Sequence, residues 1–108
     1  MVARIERWEV RLDGPISESA VQSKIEALGY EVAARIYPAG RATNASSDSR
    51  DAITAVVRGV VKLTMDENAE LLTAGDLAFV PAGVSRRLEV VGPATALCLE
   101  AFRSRTSE

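Results

Sequence analysis

The sequence GDLAFVPAGVSR, residues 75–86, combines a short apolar run with glycine and proline on either side of it. Residues 77–80 have the length and composition of a strand, and Gly75 and the segment 81–83 bound them as turns. Glycine permits the positive φ angles of tight corners, and Pro81 fixes φ and cannot donate to a strand ladder. The stretch therefore predicts a strand held between two sharp corners.

The same succession of short strands and turns continues on both sides of this stretch. Turn residues recur roughly every 6 to 12 positions, a spacing typical of β-sandwiches and closed barrels. We predict strands at residues 30–37, 52–58, 60–65, 70–72, 77–80, 86–91 and 95–102. The polar segment 41–51 is expected to be a loop.

The first thirty residues differ from the rest of the chain. Residues 4–10 suggest one more strand, and Ser17 is a candidate helix N-cap, because the apolar residues Val21, Ile25 and Leu28 follow at helical spacing before a glycine. We expect one domain over residues 1–108, with an N-terminal strand and helix at about 4–29, a barrel at about 30–103 and a frayed end at 104–108.

Composition excludes several classes of function. The chain has 108 residues, a formal net charge of −2 and no long run of basic residues, so we expect neither nucleic-acid nor membrane binding. The lone cysteine, Cys98, excludes an intrachain disulfide, and the start of the chain lacks an apolar signal segment, which predicts a cytoplasmic setting. Histidine is absent, so the commonest general acid/base and metal ligand are both missing.

Two spaced frames carry a resemblance to a known family. The stretch 75–86 has the spacing Gly-x5-Pro-x-Gly-x2-His, with Arg86 in place of the histidine. Upstream, residues 40–59 have the spacing Gly-x5-His-x-His-x3-Glu-x6-Gly, with Ser46, Asp48 and Ala52 at the ligand positions. The chain resembles the small single-domain cupins over roughly residues 4–103. The resemblance implies an all-β fold, a single double-stranded β-helix or jelly-roll barrel, with one short N-terminal helix.

The resemblance also implies where a metal would lie. In metal-bearing cupins the four ligand positions point into the barrel, and here Asp48 alone among them is an anionic ligand. Ser46 is a weak ligand, Ala52 has nothing to donate, and Arg86 stays cationic and would repel a cation. We expect no metal and no cofactor, and we identify no catalytic constellation.

Strand alternation indicates which side chains share the lumen. If position 52 faces inward, so does Thr54, and Leu88 and Val90 accompany Arg86 in a mostly apolar interior. A charge there requires a partner, so we predict that Arg86 either pairs with Asp48 or binds an anionic ligand group. The candidate ligand-binding residues are Arg86, Asp48, Thr54 and Ser46.

Four other residues are assigned ordinary roles. Arg35 and Tyr37 could reach the cavity mouth as donors, but a solvated strand face is the favoured interpretation. Glu100 has no evident paired carboxylate, and Cys98 has no histidine to activate it, so we interpret it as a buried structural thiol.

Three functions stay open. The first is a metal-free cupin that binds a small molecule, such as a carboxylate or another anion, in the lumen. The second is a metal-independent isomerase or lyase acting on a sugar or a small acid, an interpretation that lacks an obvious base. The third is a structural or regulatory module whose cavity is filled by Leu63, Met65, Leu88 and Val90. The resemblance to small one-domain cupins also implies a homodimer through sheet edges and outer faces, and the outward set Ile53, Ala55 and Val57 is apolar enough to be covered.

Overall fold

The computed structural model describes residues 4–104, which form two β-sheets and two helices. The elements are β1 (Arg4–Glu6), α1 (Val10–Asp13), α2 (Glu18–Glu26), β2 (Glu31–Tyr37), β3 (Asp51–Arg58), β4 (Val60–Met65), β5 (Asn68–Leu72), β6 (Leu77–Val80), β7 (Arg86–Val91) and β8 (Ala96–Arg103). One sheet has the order β1-β6-β3-β8-β2 and the other the order β5-β4-β7. The predicted all-β class is confirmed.

Turn chemistry located the strands well. The bounds of β4, β6 and β7 are the predicted ones, and those of β2, β3, β5 and β8 differ by one or two residues. Gly59, Gly75 and Gly83 all have positive φ, as corner glycines should. The predicted fraying at 104–108 falls mostly on residues 105–108, which lie outside the described residues.

The N-terminal segment differs from the prediction. The strand predicted at residues 4–10 ends at Glu6, and a one-turn helix, α1, follows from Val10. Glu9 caps this turn by accepting a hydrogen bond from the Arg11 amide, and Asp13 accepts one from the Glu9 amide. Local capping bonds thus overrode the weak strand pattern. The second helix, α2, starts at the predicted N-cap Ser17, whose hydroxyl accepts from the Ala20 amide at 3.1 Å.

Two apolar layers surround the larger sheet. The inner layer lies between the sheets and includes Val56, Val61, Leu63, Met65, Leu88, Val90 and Cys98. The outer layer lies on the opposite face and includes Val21 and Ile25 of α2 with Ile53, Leu77 and Leu99. Because both faces of β3 and β8 are covered, these strands are buried along nearly their whole length, whereas β4 alternates.

The outer layer removes one support for the predicted dimer. Ile53 and Ala55 are fully buried and Val57 is 4% exposed, in one cluster with Val21 and Ile25 of α2. The helix of the same chain covers this face, so these residues give no support to a dimer. Dimerisation through another surface stays a prediction, which light scattering at micromolar concentration tests. Neither helix within residues 4–104 is long and apolar enough to cross a membrane.

The first residue of β3 and the loop before it hold the corner before β7 in place. The Asp51 carboxylate accepts a hydrogen bond from the Ala82 amide at 2.9 Å, and the Asp48 carbonyl accepts one from the Gly83 amide at 2.8 Å. The two frames identified in the sequence are therefore in direct contact. This contact places the start of β7, and with it Arg86, at the mouth of the barrel.

Candidate functional site

A cavity of about 190 Å³ opens between the two sheets, near the first residues of β3 and β7 and the last residues of β8. Most of its lining side chains are polar, and they come from both sheets and from the loop before β3. They are Arg35, Tyr37, Thr43, Asn44, Ser46, Thr54, Leu63, Arg86, Arg87, Leu88, Glu100 and Phe102. Beyond Leu63 the interior is filled by the inner apolar layer.

Arg86 points into this cavity. Only 16% of its side chain is exposed, and its Nη1 lies 3.4 Å from Glu100 Oε1. The same nitrogen donates a hydrogen bond of 3.2 Å to Thr54 Oγ1, and the guanidinium lies 5.3 Å from the centre of the Phe102 ring. The cation is thus held in place by an ion pair, a hydrogen bond and an aromatic face.

Glu100 is the counter-ion of Arg86 and the main residue that sequence reasoning missed. It is 8% exposed, and its Oε1 accepts a hydrogen bond of 3.0 Å from Thr54 Oγ1. Burial raises the pKa of the Glu100 carboxyl, while the Arg86 charge, the hydrogen bond from Thr54 and the Arg35 charge act in the opposite direction. A carboxylic acid with elevated pKa, facing a cavity, is a candidate functional group.

Ser46 contributes mainly through its backbone. Its amide donates to the Arg86 carbonyl at 2.9 Å, and its carbonyl accepts from the Arg86 amide at 2.8 Å. Thr43 makes similar contacts to Leu88 two residues further along β7, so the loop 41–46 continues the smaller sheet. Ser46 lines the cavity as predicted, and its backbone fixes the position of Arg86.

Of the two predicted roles of Arg86, the pair with Asp48 is contradicted, and the binding of an anionic ligand group stays a prediction. Asp48 makes a two-pronged ion pair with Arg50, with both nitrogen–oxygen distances 2.9 Å, and it also accepts from the Arg50 amide at 2.8 Å. These bonds hold the pKa of Asp48 well below its usual range. A pair between residues two positions apart requires less of the chain to be ordered than a pair across the barrel, which favours Arg50 as the partner of Asp48. Asp48 is also not among the residues that line the cavity.

The favoured interpretation of Arg35 and Tyr37 as a solvated strand face describes Arg35, which is exposed, but not Tyr37, which is half-buried; both side chains line the cavity. β2 pairs antiparallel with β8, so Arg35 lies opposite Cys98 and Tyr37 opposite Ala96. Residues opposite each other share a face of the sheet, and both Cys98 and Ala96 belong to the inner layer. Arg35 and Tyr37 therefore line the cavity on the same face as Glu100.

A family model described as the cupin domain matches residues 34–102, the segment that contains both frames and nearly all of this cavity. The chain belongs to the cupin domain family. Among curated proteins, none matches this sequence closely enough to support a relationship.

Solved structures share the cupin fold at low identity. A cupin protein from Bacteroides fragilis is 21% identical with a TM-score of 0.66, over 73% of this chain and 69% of that one. A protein of unknown function from Streptococcus pyogenes is 18% identical with a TM-score of 0.65, over 72% and 67% of the two chains. A cupin domain from Schizosaccharomyces pombe is 12% identical with a TM-score of 0.66, over 69% of this chain but only 56% of that one. These likenesses establish the fold alone.

The residues at the cupin ligand positions do not fit a metal ion. Arg86 places a guanidinium there, Ala52 is a buried methyl group, and the Asp48 carboxylate is engaged by Arg50. Within residues 4–104, no cluster of three or more acidic or cysteine side chains could hold an ion. A cation would have to displace or neutralise the Arg86 charge, which Coulomb repulsion opposes.

Cys98 is buried on the inner face of β8, as predicted. Burial, together with the nearby charge of Glu100, raises the pKa of its thiol to about 12. Since the thiolate is the reactive form, Cys98 is a packing residue beneath the polar cavity.

Proposed function

We propose that this cupin binds a small organic anion, a carboxylate, in its barrel cavity without a metal. The observation that carries the proposal is the position of Arg86, whose guanidinium lines the cavity while Glu100 and Thr54 hold it from behind. An arginine fixed in this way offers its remaining donors to a ligand in a set geometry. Such preorganisation lowers the cost of binding.

The charges around the cavity favour an anion. Its lining includes three arginines, Arg35, Arg86 and Arg87, whereas Glu100 is the one acidic residue lining it in the described part of the chain. Arg35 lies on the inward register of β2, opposite the strand that carries Glu100. Among residues 4–104, its guanidinium donates to the neighbouring Ala34 carbonyl, at 3.2 Å, a weak and exposed contact that a ligand carboxylate can replace.

The size of the cavity limits the ligand. Pockets for drug-sized molecules span about 300–1,000 Å³, and this one is about 190 Å³. A short carboxylic acid of three or four carbons suits this volume better than a sugar nucleotide or a lipid.

The packing of the lumen bears on the alternative of a purely structural module. Leu63, Met65, Leu88 and Val90 do fill the deeper part of the barrel, as that alternative requires. The outer part, however, keeps an open space toward which Arg35, Tyr37, Arg86 and Glu100 converge. Converging polar groups around an open space support binding rather than a filled scaffold.

A thermal-shift titration tests the proposal. Lactate should raise the melting temperature in proportion to the logarithm of its concentration above Kd, because it binds the folded state. Lactamide has nearly the same shape without the charge and should have no effect. If the two compounds act equally, or neither acts up to millimolar concentration, the proposal fails.

Arg35→Gln and Arg58→Gln form a matched pair of variants for this titration. Arg35 lines the cavity, whereas Arg58 is exposed at the opposite end of β3. The first substitution should weaken lactate binding at least tenfold, about 1.4 kcal/mol, and the second should leave it unchanged. Equal effects of the two variants on lactate binding would indicate that the net positive charge of the protein matters, and not a contact between Arg35 and the ligand.

A further inference from the structure

We propose that Glu100 is a general base that removes a proton from the carbon beside the keto group of a small 2-oxo acid, so that the cavity catalyses keto–enol tautomerisation. The inference rests on the proposed binding of a carboxylate and names its chemical class. It starts from one observation: a buried carboxylate faces the same cavity as the cations that would hold the substrate.

The orientation of Glu100 suits a base. Both Thr54 Oγ1 and Arg86 Nη1 approach the same oxygen, Oε1, at 3.0 and 3.4 Å. Two contacts on one oxygen fix the plane of the carboxylate relative to the cavity. A base must be held within hydrogen-bond reach of the proton it takes, and β8 supplies a rigid strand for this purpose.

If Glu100 were only the counter-ion of Arg86, two features of the cavity would have no explanation. The carboxylate lines an open cavity instead of being packed over, and the Tyr37 hydroxyl belongs to a side chain that lines the same cavity. Burial makes Glu100 a stronger base than a free glutamate, since it raises the pKa of its carboxyl. The same region holds Tyr37 protonated, because burial and the Glu100 charge raise the pKa of the phenol to about 12.

The class of substrate follows from what surrounds Glu100. Arg35 and Arg86 are suited to a carboxylate, and a keto group next to that carboxylate would acidify the adjoining C–H bond. The negative charge that develops on the keto oxygen would lie among arginine and tyrosine donors, which is the arrangement that stabilises an enolate. The small volume limits the substrate to short chains such as pyruvate and 2-oxobutanoate.

The proton balance closes without a cofactor. Glu100 takes the proton from C3, the C3–H electron pair forms the C2=C3 bond, and the C2=O π electrons move to oxygen. The Tyr37 hydroxyl gives its proton to that oxygen, which completes the enol. Solvent in the open cavity then takes the proton from Glu100 and returns one to the Tyr37 phenolate, so both groups recover their starting states. Nothing is oxidised or reduced.

Exchange of the C3 protons of 2-oxobutanoate in D₂O, followed by proton NMR, tests the inference. The wild-type protein should accelerate exchange in a saturable manner. Glu100→Gln should reduce the rate at least 100-fold, within the ~10²–10⁴ range for general bases. Glu89→Gln is the matched control, because Glu89 lies exposed on the outer face of β7 beside Lys62. That variant should exchange at the wild-type rate.

A second measurement uses the wild-type protein alone, so its outcome does not depend on whether a variant folds. The exchange rate of the wild-type protein should rise with pH through a pKa above that of a free glutamate, ~4.3, as Glu100 ionises. Lactate binding without accelerated exchange would overturn the catalytic role and leave the binding function intact. If the protein neither binds lactate nor accelerates exchange, both the binding function and the catalytic role are overturned. Exchange by Glu100→Gln at the wild-type rate would exclude Glu100 as the base.

Discussion

Arg86 and Glu100 form an ion pair across the barrel, with Nη1 and Oε1 3.4 Å apart and with 16% and 10% of the two side chains exposed. Arg86 begins β7 in the smaller sheet and Glu100 lies in β8 of the larger one, so the pair links the two sheets at the cavity. Thr54 lies between them, donating to Glu100 and accepting from Arg86. The cavity of this cupin therefore has a charged network where a metal-bearing relative would place its ion.

Breaking the pair should cost more than removing both partners. Arg86→Met leaves a buried carboxylate without its counter-ion, which costs about 3 kcal/mol in the free energy of unfolding. The double variant Arg86→Met with Glu100→Gln should recover a large part of that loss. Urea unfolding of the wild type, both single variants and the double variant measures the coupling energy. A coupling below about 0.5 kcal/mol would show that the pair contributes little.

The free energy of unfolding should depend on pH in part through the ionisation of Glu100. A carboxyl with a pKa raised on folding stabilises the protein below its unfolded pKa, and this contribution is lost as pH rises through the folded value. The wild type should therefore lose stability relative to Glu100→Gln as pH rises upward from about 4.3. Acidic groups such as Asp48 act in both proteins alike, so the difference between two urea series isolates Glu100. A flat difference would contradict the raised pKa.

Asp48 should have no part in ligand binding. Its carboxylate is occupied by Arg50, and the pair is partly exposed, with 29% of the Asp48 side chain and 43% of the Arg50 side chain accessible. Asp48→Asn should leave the lactate Kd unchanged and cost less than about 1 kcal/mol, as exposed ion pairs do. A tenfold weaker lactate affinity in this variant would restore the original prediction that Asp48 serves the cavity.

The sequence determined most of the fold because turns carry explicit chemistry. Corner residues such as Gly75 and Pro81 bound the strands, and the resemblance to cupins that the two frames carry implied both the barrel and the place of Arg86. The one-turn helix α1 escaped prediction, since Val10 fits a strand pattern and the capping contact of Glu9 with the Arg11 amide is local.

Several residues of the site were not predicted from the sequence. The sequence shows no second carboxylate beside Glu100 and therefore predicts no role for it. However, Glu100 is a charged residue within the apolar run of β8, on the face of Cys98, and this indicates an inward position. The choice of Arg86 partner depended on a contact between two sheets, which strand alternation cannot specify. Arg35 and Tyr37 likewise needed the pairing of β2 with β8 before their direction was known.

Gly75 provides a test of how the N-terminal segment is fastened to the barrel. A Cβ at this position would lie 2.4 Å from Trp8 Cβ, and the residue has a φ of +91°. Trp8 itself donates to the Gly14 carbonyl at 2.7 Å, and the neighbouring Arg7 contacts Asp76 at 2.6 Å. A side chain at position 75 must therefore move a segment that is anchored on both sides.

Gly75→Ala should consequently be destabilised by both strain and displacement. Gly83→Ala is the matched control, because Gly83 has a similar φ of +83° but nothing within 4 Å of the added Cβ. The control should lose about 1–2 kcal/mol from the left-handed backbone alone. Gly75→Ala should lose at least about 1 kcal/mol more, an overpacking cost, together with increased exposure of Trp8 in its fluorescence spectrum. Equal losses in urea unfolding, with an unchanged Trp8 spectrum, would show that the N-terminal segment does not depend on its contact with Gly75.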